Sequence, residues 1–139
     1  VKYFQGDRSP NNAEREDIGY SSAWLHHKGR SRHHFEYWID YCIAPDGSVY
    51  MGGCKMPRRY VAEMFCDRVA ASKIYKGKDY TSASAYEYFI HSYEREWMHP
   101  QTRQEQEFLL TMLRDQGEAA TFRYLKYHVL AGKPFPWEE

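Results

Sequence analysis

The sequence predicts an all-α fold, a compact bundle of about five to six helices in one domain over residues 1–139. Three observations lead to this. Apolar side chains recur at spacings of three and four along most of the chain, while no segment alternates apolar and polar residues convincingly enough for a strand. Glycine- or proline-marked turns separate the periodic stretches. The length suits a single hydrophobic core, and no internal repeat or low-complexity tract divides it.

The chain opens at Val1 on what reads like the middle of an element running into polar GDRSPNNAERED, so a further segment is expected upstream. Asn11 or Asn12 is suited to cap the first helix. Glu14, Glu16 and Asp17 complement the dipole of its first turns, Ile18, Ser22 and Leu25 follow at helical spacing, and Gly29 ends it. A second helix is expected from Ser31 or His33 to Cys42, where Phe35, Trp38, Ile39 and Cys42 share a face. APDGSVYMGGCKMP, with Pro-Asp-Gly and Gly-Gly turn pairs, reads as a loop.

Pro57 suits the first turn of a third helix, whose apolar stripe of Val61, Met64, Phe65, Val69 and Ala70 runs until Gly77. A fourth, opened by Ser82 or Ser84 and carrying Tyr86, Phe89, Ile90, Tyr93 and Trp97, stops before Met98-His99-Pro100. Thr102 with Glu105 is a capping-box pattern for a fifth, and Gly117 separates it from a sixth, EAATFRYLKYHVLAG.

Equal numbers of basic and acidic residues, 19 of each, leave no field of the kind phosphate-backbone binders use, so nucleic acid is not favoured as a partner. No apolar run reaches the ~20 residues that span a bilayer. Cys42, Cys54 and Cys66 are odd in number and lack a C-x-x-C pair, which fits a reducing, cytoplasmic home. The 17% aromatic content points to a core of amphipathic rings with polar atoms near it.

Four of the seven histidines fall in the string AWLHHKGRSRHHFEYW, as His26-His27 and His33-His34. Imidazole is the usual side chain for divalent metal or for proton transfer near neutral pH, so two doublets this close point to a metal site. The alternative is that they cap helix ends or face water; His26 and His27 fall in a last turn, where the dipole favours imidazolium. On the third helix Glu63 and Asp67 are four apart and project from one face. Glu63 suits a solvated face beside Arg59. Asp67, hemmed by Cys66, Val69 and Ala70, needs a ligand or a hydrogen-bonded partner. Lys28, Arg30 or Arg32 could reach phosphate oxygens, or lie on a solvated turn. His91, His99 and His128 are read as surface or helix-end residues, and Cys66 as core packing. No nucleophile elbow, phosphate loop or dinucleotide pattern occurs.

A His doublet followed some thirty residues on by an aspartate in x-C-D-R-x-A-A resembles the second half of the HD-domain metal-dependent phosphohydrolases, helical bundles that hold one or two divalent ions. The string HH-x5-HH-x-EYW followed by EM-x2-D is also similar to an uncharacterised family of small bacterial and phage proteins, over roughly Tyr3 to Tyr75. Those usually carry a His-Asp-Leu-Ser-Lys-Phe stretch ahead of this point, which is absent here. The resemblance implies an HD-like bundle with His27, His33, His34 and Asp67 as ligands of a divalent ion (Mn, Mg, Co, Fe or Zn). His26 and Glu63 would support those ligands or substitute for one. It implies metal-activated water acting on a small phosphorylated compound or nucleotide, with the missing His-Asp pair leaving the ligand set incomplete. The reading from another class is a non-catalytic helical domain whose histidines hydrogen-bond Glu63 and Asp67.

Overall fold

A computed structural model describes residues 10–139, and the reading of a segment ahead of Val1 lies outside the described residues. Six α-helices occur among the described residues: α1 (Pro10–Ile18), α2 (Ser22–Lys28), α3 (Arg58–Lys76), α4 (Ser84–His91), α5 (Glu94–Trp97) and α6 (Pro100–Tyr124). The fold is mostly helical but not all-α. Strands β1 (Ile39–Ile43) and β2 (Val49–Gly53) pair antiparallel, with Ile39 opposite Gly53, Tyr41 opposite Met51 and Ile43 opposite Val49.

The hairpin corrects two expectations, the helix to Cys42 and the loop after it. One 3-10 turn, Phe35–Trp38, is all the helix that forms there. Ile-Asp-Tyr-Cys-Ile suits a pleated surface, and Pro45-Asp46-Gly47 reverses the chain onto a partner of the right length, so a cross-strand ladder displaces the i, i+3 pattern. Gly47 at φ +86 closes the turn, and its N–H donates to the Ala44 carbonyl at 2.9 Å. At the hairpin's root, a Cβ on Gly53 would meet the Trp97 carbonyl oxygen and lie 2.7 Å from the His99 nitrogen. Glycine is what lets the hairpin sit against the break between α5 and α6.

The predicted first helix is two. Gly19, at φ +90, breaks it, and Ser21 caps α2 by accepting from the Trp24 N–H at 3.0 Å. Helix α1 begins at Pro10, so neither Asn11 nor Asn12 is its cap. The third helix forms as expected, burying Val61, Ala62, Met64, Phe65 and Val69, while Ala70 of the expected stripe is exposed. The fourth breaks at extended Ser92 into α4 and α5. The fifth starts at Pro100, with His99 Nδ1 accepting from the Gln101 N–H at 3.1 Å. Thr102 and Glu105 therefore form no capping box: Thr102 Oγ1 accepts from the Met56 N–H at 3.0 Å, and Glu105 pairs with Lys55 at 3.0 Å. Gly117, at φ 85 and ψ 176, separates two helical segments as expected.

Helix α3 packs on α4, α6 and the C-terminal turns. The core joins Val61, Phe65 and Val69 with Phe89, Leu109, Leu110, Leu113, Val129 and Phe135. Each such side chain taken out of water contributes about 1.5–3 kcal/mol. After α6 the chain continues as a π-turn, Leu125–Val129. Arg58, at the start of α3, donates to the carbonyls of Val129 and Lys133, so the tail lies against the helix that also supplies the carboxylates. No described helix is long and apolar enough to cross a membrane.

Candidate metal centre

The site forms where α2 ends. Gly29 closes the helix, its N–H reaching the Leu25 carbonyl at 3.2 Å, and the His34 N–H donates to the Ser31 carbonyl at 3.1 Å. The tight turn folds the second His doublet back on the first. His27 Nε2 lies 2.9 Å from His34 Nε2, and the His33 and His34 ring centres are 4.5 Å apart. Ligand nitrogens of His27, His33 and His34 all fall within 4.8 Å of one another, a cluster that could hold a metal ion.

Helix α3 supplies the carboxylates. His33 Nε2 is 3.9 Å from Asp67 Oδ2, and His33 Nδ1 is 3.9 Å from Glu63 Oε2. Both distances leave room for a shared ion or one bridging water. Asp67 is less hemmed in than its sequence neighbours suggest: its side chain is 52% exposed at the rim. A solvated Asp67 is the physical consequence of lying two residues, about 160° round the helix, from Phe65 and Val69, which are the buried ones.

His26 does not join the cluster, because its Nδ1 lies 3.1 Å from Arg30 Nη1. Of the bases between the doublets, Arg30 is thus engaged with His26, and Arg32 donates to the Tyr60 hydroxyl at 3.3 Å. Two of the other histidines have local roles. His99 caps α6, and His128 Nε2 lies 2.7 Å from the Pro134 carbonyl oxygen while its ring stacks on Tyr124. Cys66 corrects the core-packing reading, since it is exposed and lines a groove with His33, Arg59, Ala62, Glu63, Asp67, Leu125 and Leu130. The groove is open and holds about 650 Å³. Partial burial, then Glu63 and Asp67, raise the Cys66 thiol's pKa, which keeps it a thiol near neutrality.

Burial, then the neighbouring His33, lower the His34 pKa to about 4, against the pull of Asp67. The ring is neutral at physiological pH, the form that can ligate a metal. Sequence reasoning missed the groups around it. Trp24 sets its edge to His34 at 5.0 Å, one turn before His27 on the same helix. Behind the cluster, Arg68 Nη2 pairs with Glu94 Oε2 at 2.6 Å, and Glu36 has a buried Oε2 without a hydrogen-bond partner. Burial, then Glu94, raise the Glu36 pKa to about 7. A carboxylate inside the aromatic run HHFEYW was its one trace in the sequence.

A family model, that of a family of unknown function (DUF5662), matches residues 1–112. No curated protein matches the chain. No solved structure does either.

Proposed function

Since the chain belongs to DUF5662, a family of unknown function, we propose from the site alone that His27, His33, His34 and Asp67 hold a divalent metal ion and that the protein is a metal-dependent phosphohydrolase acting on a small phosphorylated compound or nucleotide. The observation that carries this reading is the meeting of three imidazoles within 4.8 Å. Asp67 stands 3.9 Å from one of them. Three imidazole nitrogens and one carboxylate oxygen suit Mn, Fe, Co or Zn better than Mg, which prefers an all-oxygen shell.

A divalent ion there supplies Lewis acidity toward a phosphoryl oxygen and makes water a stronger nucleophile at neutral pH. The chain's own residues do the rest. Glu63 orients His33 across one water, as carboxylates behind ligating histidines do. Trp24 covers the ring of His34 and limits solvent on that side. Arg59, on the groove rim and paired with Glu63 at 3.3 Å, is the cation placed to receive phosphate oxygens. The order of a His doublet and a later helix aspartate, similar to that in HD-domain phosphohydrolases, supports the same reaction class and an HD-like arrangement of ligands.

The second reading is a structural His and carboxylate cluster. It is favoured by the direct 2.9 Å contact between His27 and His34, which lets the imidazoles satisfy one another without an ion. Metal analysis of untagged protein separates the two. We expect about one equivalent of Mn, Fe, Co or Zn, a loss of most of it in Asp67→Ala, and turnover of aryl phosphates or nucleoside monophosphates only with metal. Equal metal content in wild type and Asp67→Ala removes Asp67 from the ligand set, and metal-free protein that binds none on addition establishes the structural cluster.

A further inference from the structure

Resting on the metal-site reading above, we propose that the groove beside the histidines takes a small amphiphile, with an anionic phosphoryl head at the His33 and Asp67 end and an apolar alkyl or aryl group laid on Leu125 and Leu130. The site's substrates are then organic phosphate monoesters with a hydrophobic substituent, in preference to polyhydroxylated ones such as sugar phosphates.

The two walls of the groove have different origins. One is a stripe of α3, Arg59, Ala62, Glu63, Cys66 and Asp67, at successive spacings of three, one, three and one that keep them on one face. The other exists because of the π-turn. In an α-helix, residues five apart point about 140° away from each other, so Leu125 and Leu130 could not face the same space. Here the Leu130 N–H donates to the Leu125 carbonyl at 2.9 Å, a five-residue step, and the Lys133 N–H repeats it with His128 at 3.0 Å. The wider turn brings both leucines to the groove. Arg58 fixes it by donating to the Val129 carbonyl at 3.3 Å. A π-turn gives up regular helical hydrogen bonding, and such turns occur often at functional sites.

Charge decides which end the head takes. The lining carries Glu63 and Asp67 against Arg59, so a phosphoryl group is repelled unless a bound cation offsets the carboxylates. That cation belongs at the His33 and Asp67 end. The far wall, Leu125 and Leu130, presents no side-chain donor to a hydroxylated ligand. Leu130 is 53% exposed and has surface left to cover, while Leu125 is anchored in the core.

The test is calorimetric binding of methyl, n-butyl and n-hexyl phosphate to Mn²⁺-loaded protein, with Mn²⁺ occupancy read independently by electron paramagnetic resonance. We expect butyl phosphate to bind on the order of tenfold more tightly than methyl phosphate, since several methylenes leave water against leucine. Leu130→Ser should flatten that series and leave methyl phosphate and Mn²⁺ binding unchanged. A flat series in the wild type with Mn²⁺ and methyl phosphate still bound overturns this inference and leaves the metal site standing, as does an unflattened series in Leu130→Ser. Absence of Mn²⁺ binding overturns the metal-site reading and this inference with it.

Discussion

His34 and Glu36 lie two residues apart and are shifted in opposite directions by the same cause, burial. Their effects on stability oppose each other. The folded His34 pKa, about 4, lies below its ordinary 6.5, so its contribution is present above pH 6.5 and is lost as pH falls through about 4. The folded Glu36 pKa, about 7, lies above its ordinary 4.5, so its contribution is full below pH 4.5 and is lost as pH rises through about 7. The two slopes cancel between the ordinary values of 4.5 and 6.5. Glu36→Gln removes one of them. We expect its stability to climb relative to wild type across the interval from 4.5 to 7 and to level off above it, read from urea denaturation at a series of pH values. Parallel curves for the two proteins reject the account. Burial also keeps the His34 ring neutral, the form in which an imidazole could ligate an ion.

At the scale of elements, the segment between the hairpin and α3 is tied down by the residues that look like a helix cap in the sequence. Thr102 Oγ1 receives the Met56 N–H, and both Thr102 and Met56 are 1% exposed. Thr102→Val keeps the shape and deletes the acceptor, leaving a buried N–H unpaired at a cost of about 1–3 kcal/mol. Equilibrium denaturation should show that loss, and the solvent-facing Gln101→Ala should change stability by less than about 0.5 kcal/mol. A Thr102→Val protein as stable as wild type would mean that the amide has another partner. The same anchoring sets where α3 starts, and so the angular position of Glu63 and Asp67.

For the whole molecule, the histidine cluster joins two unequal parts. Helices α3, α4 and α6 share the core, whereas α2 buries none of its own residues. What links α2 to α3 at the site is the contact of His27 with His34 and of His33 with Glu63 and Asp67. Hydrogen exchange should therefore show α2 opening well before the core does. A divalent ion bound across both parts closes that gap by mass action, by up to about a hundredfold in protection at a metal concentration of 100 Kd. Mn²⁺ or Zn²⁺ is expected to slow exchange in Ser22–Lys28 while the α3 amides change little. Uniform slowing, or none, would show that the ion does not bridge the two parts.

Helix α3 was legible without any structure, because one unbroken stripe from Val61 to Val69 between Pro57 and Gly77 admits only one way of burying it. The helical breaks at Gly117 and before Pro100 were legible for a similarly local reason: glycine permits the positive φ that interrupts a helix, and proline disfavours helical backbone at the residue before it. The same holds for the identity of the site's groups, since histidine doublets and a carboxylate four residues from another are chemical facts of the chain. The hairpin was not legible, because Phe35, Trp38, Ile39 and Cys42 satisfy a helix locally, and only pairing with Val49–Gly53 turns the balance toward a strand. Nor was the split between His26, bound to Arg30, and His27, facing His34, since adjacent residues on a helix end differ by about 100° in direction and only the fold of the following turn decides which one meets a partner. The groove's apolar wall depends on a five-residue hydrogen bond held by an arginine from the start of another helix. Long-range contacts of that kind leave no periodicity in the sequence, and only the tertiary structure decides them.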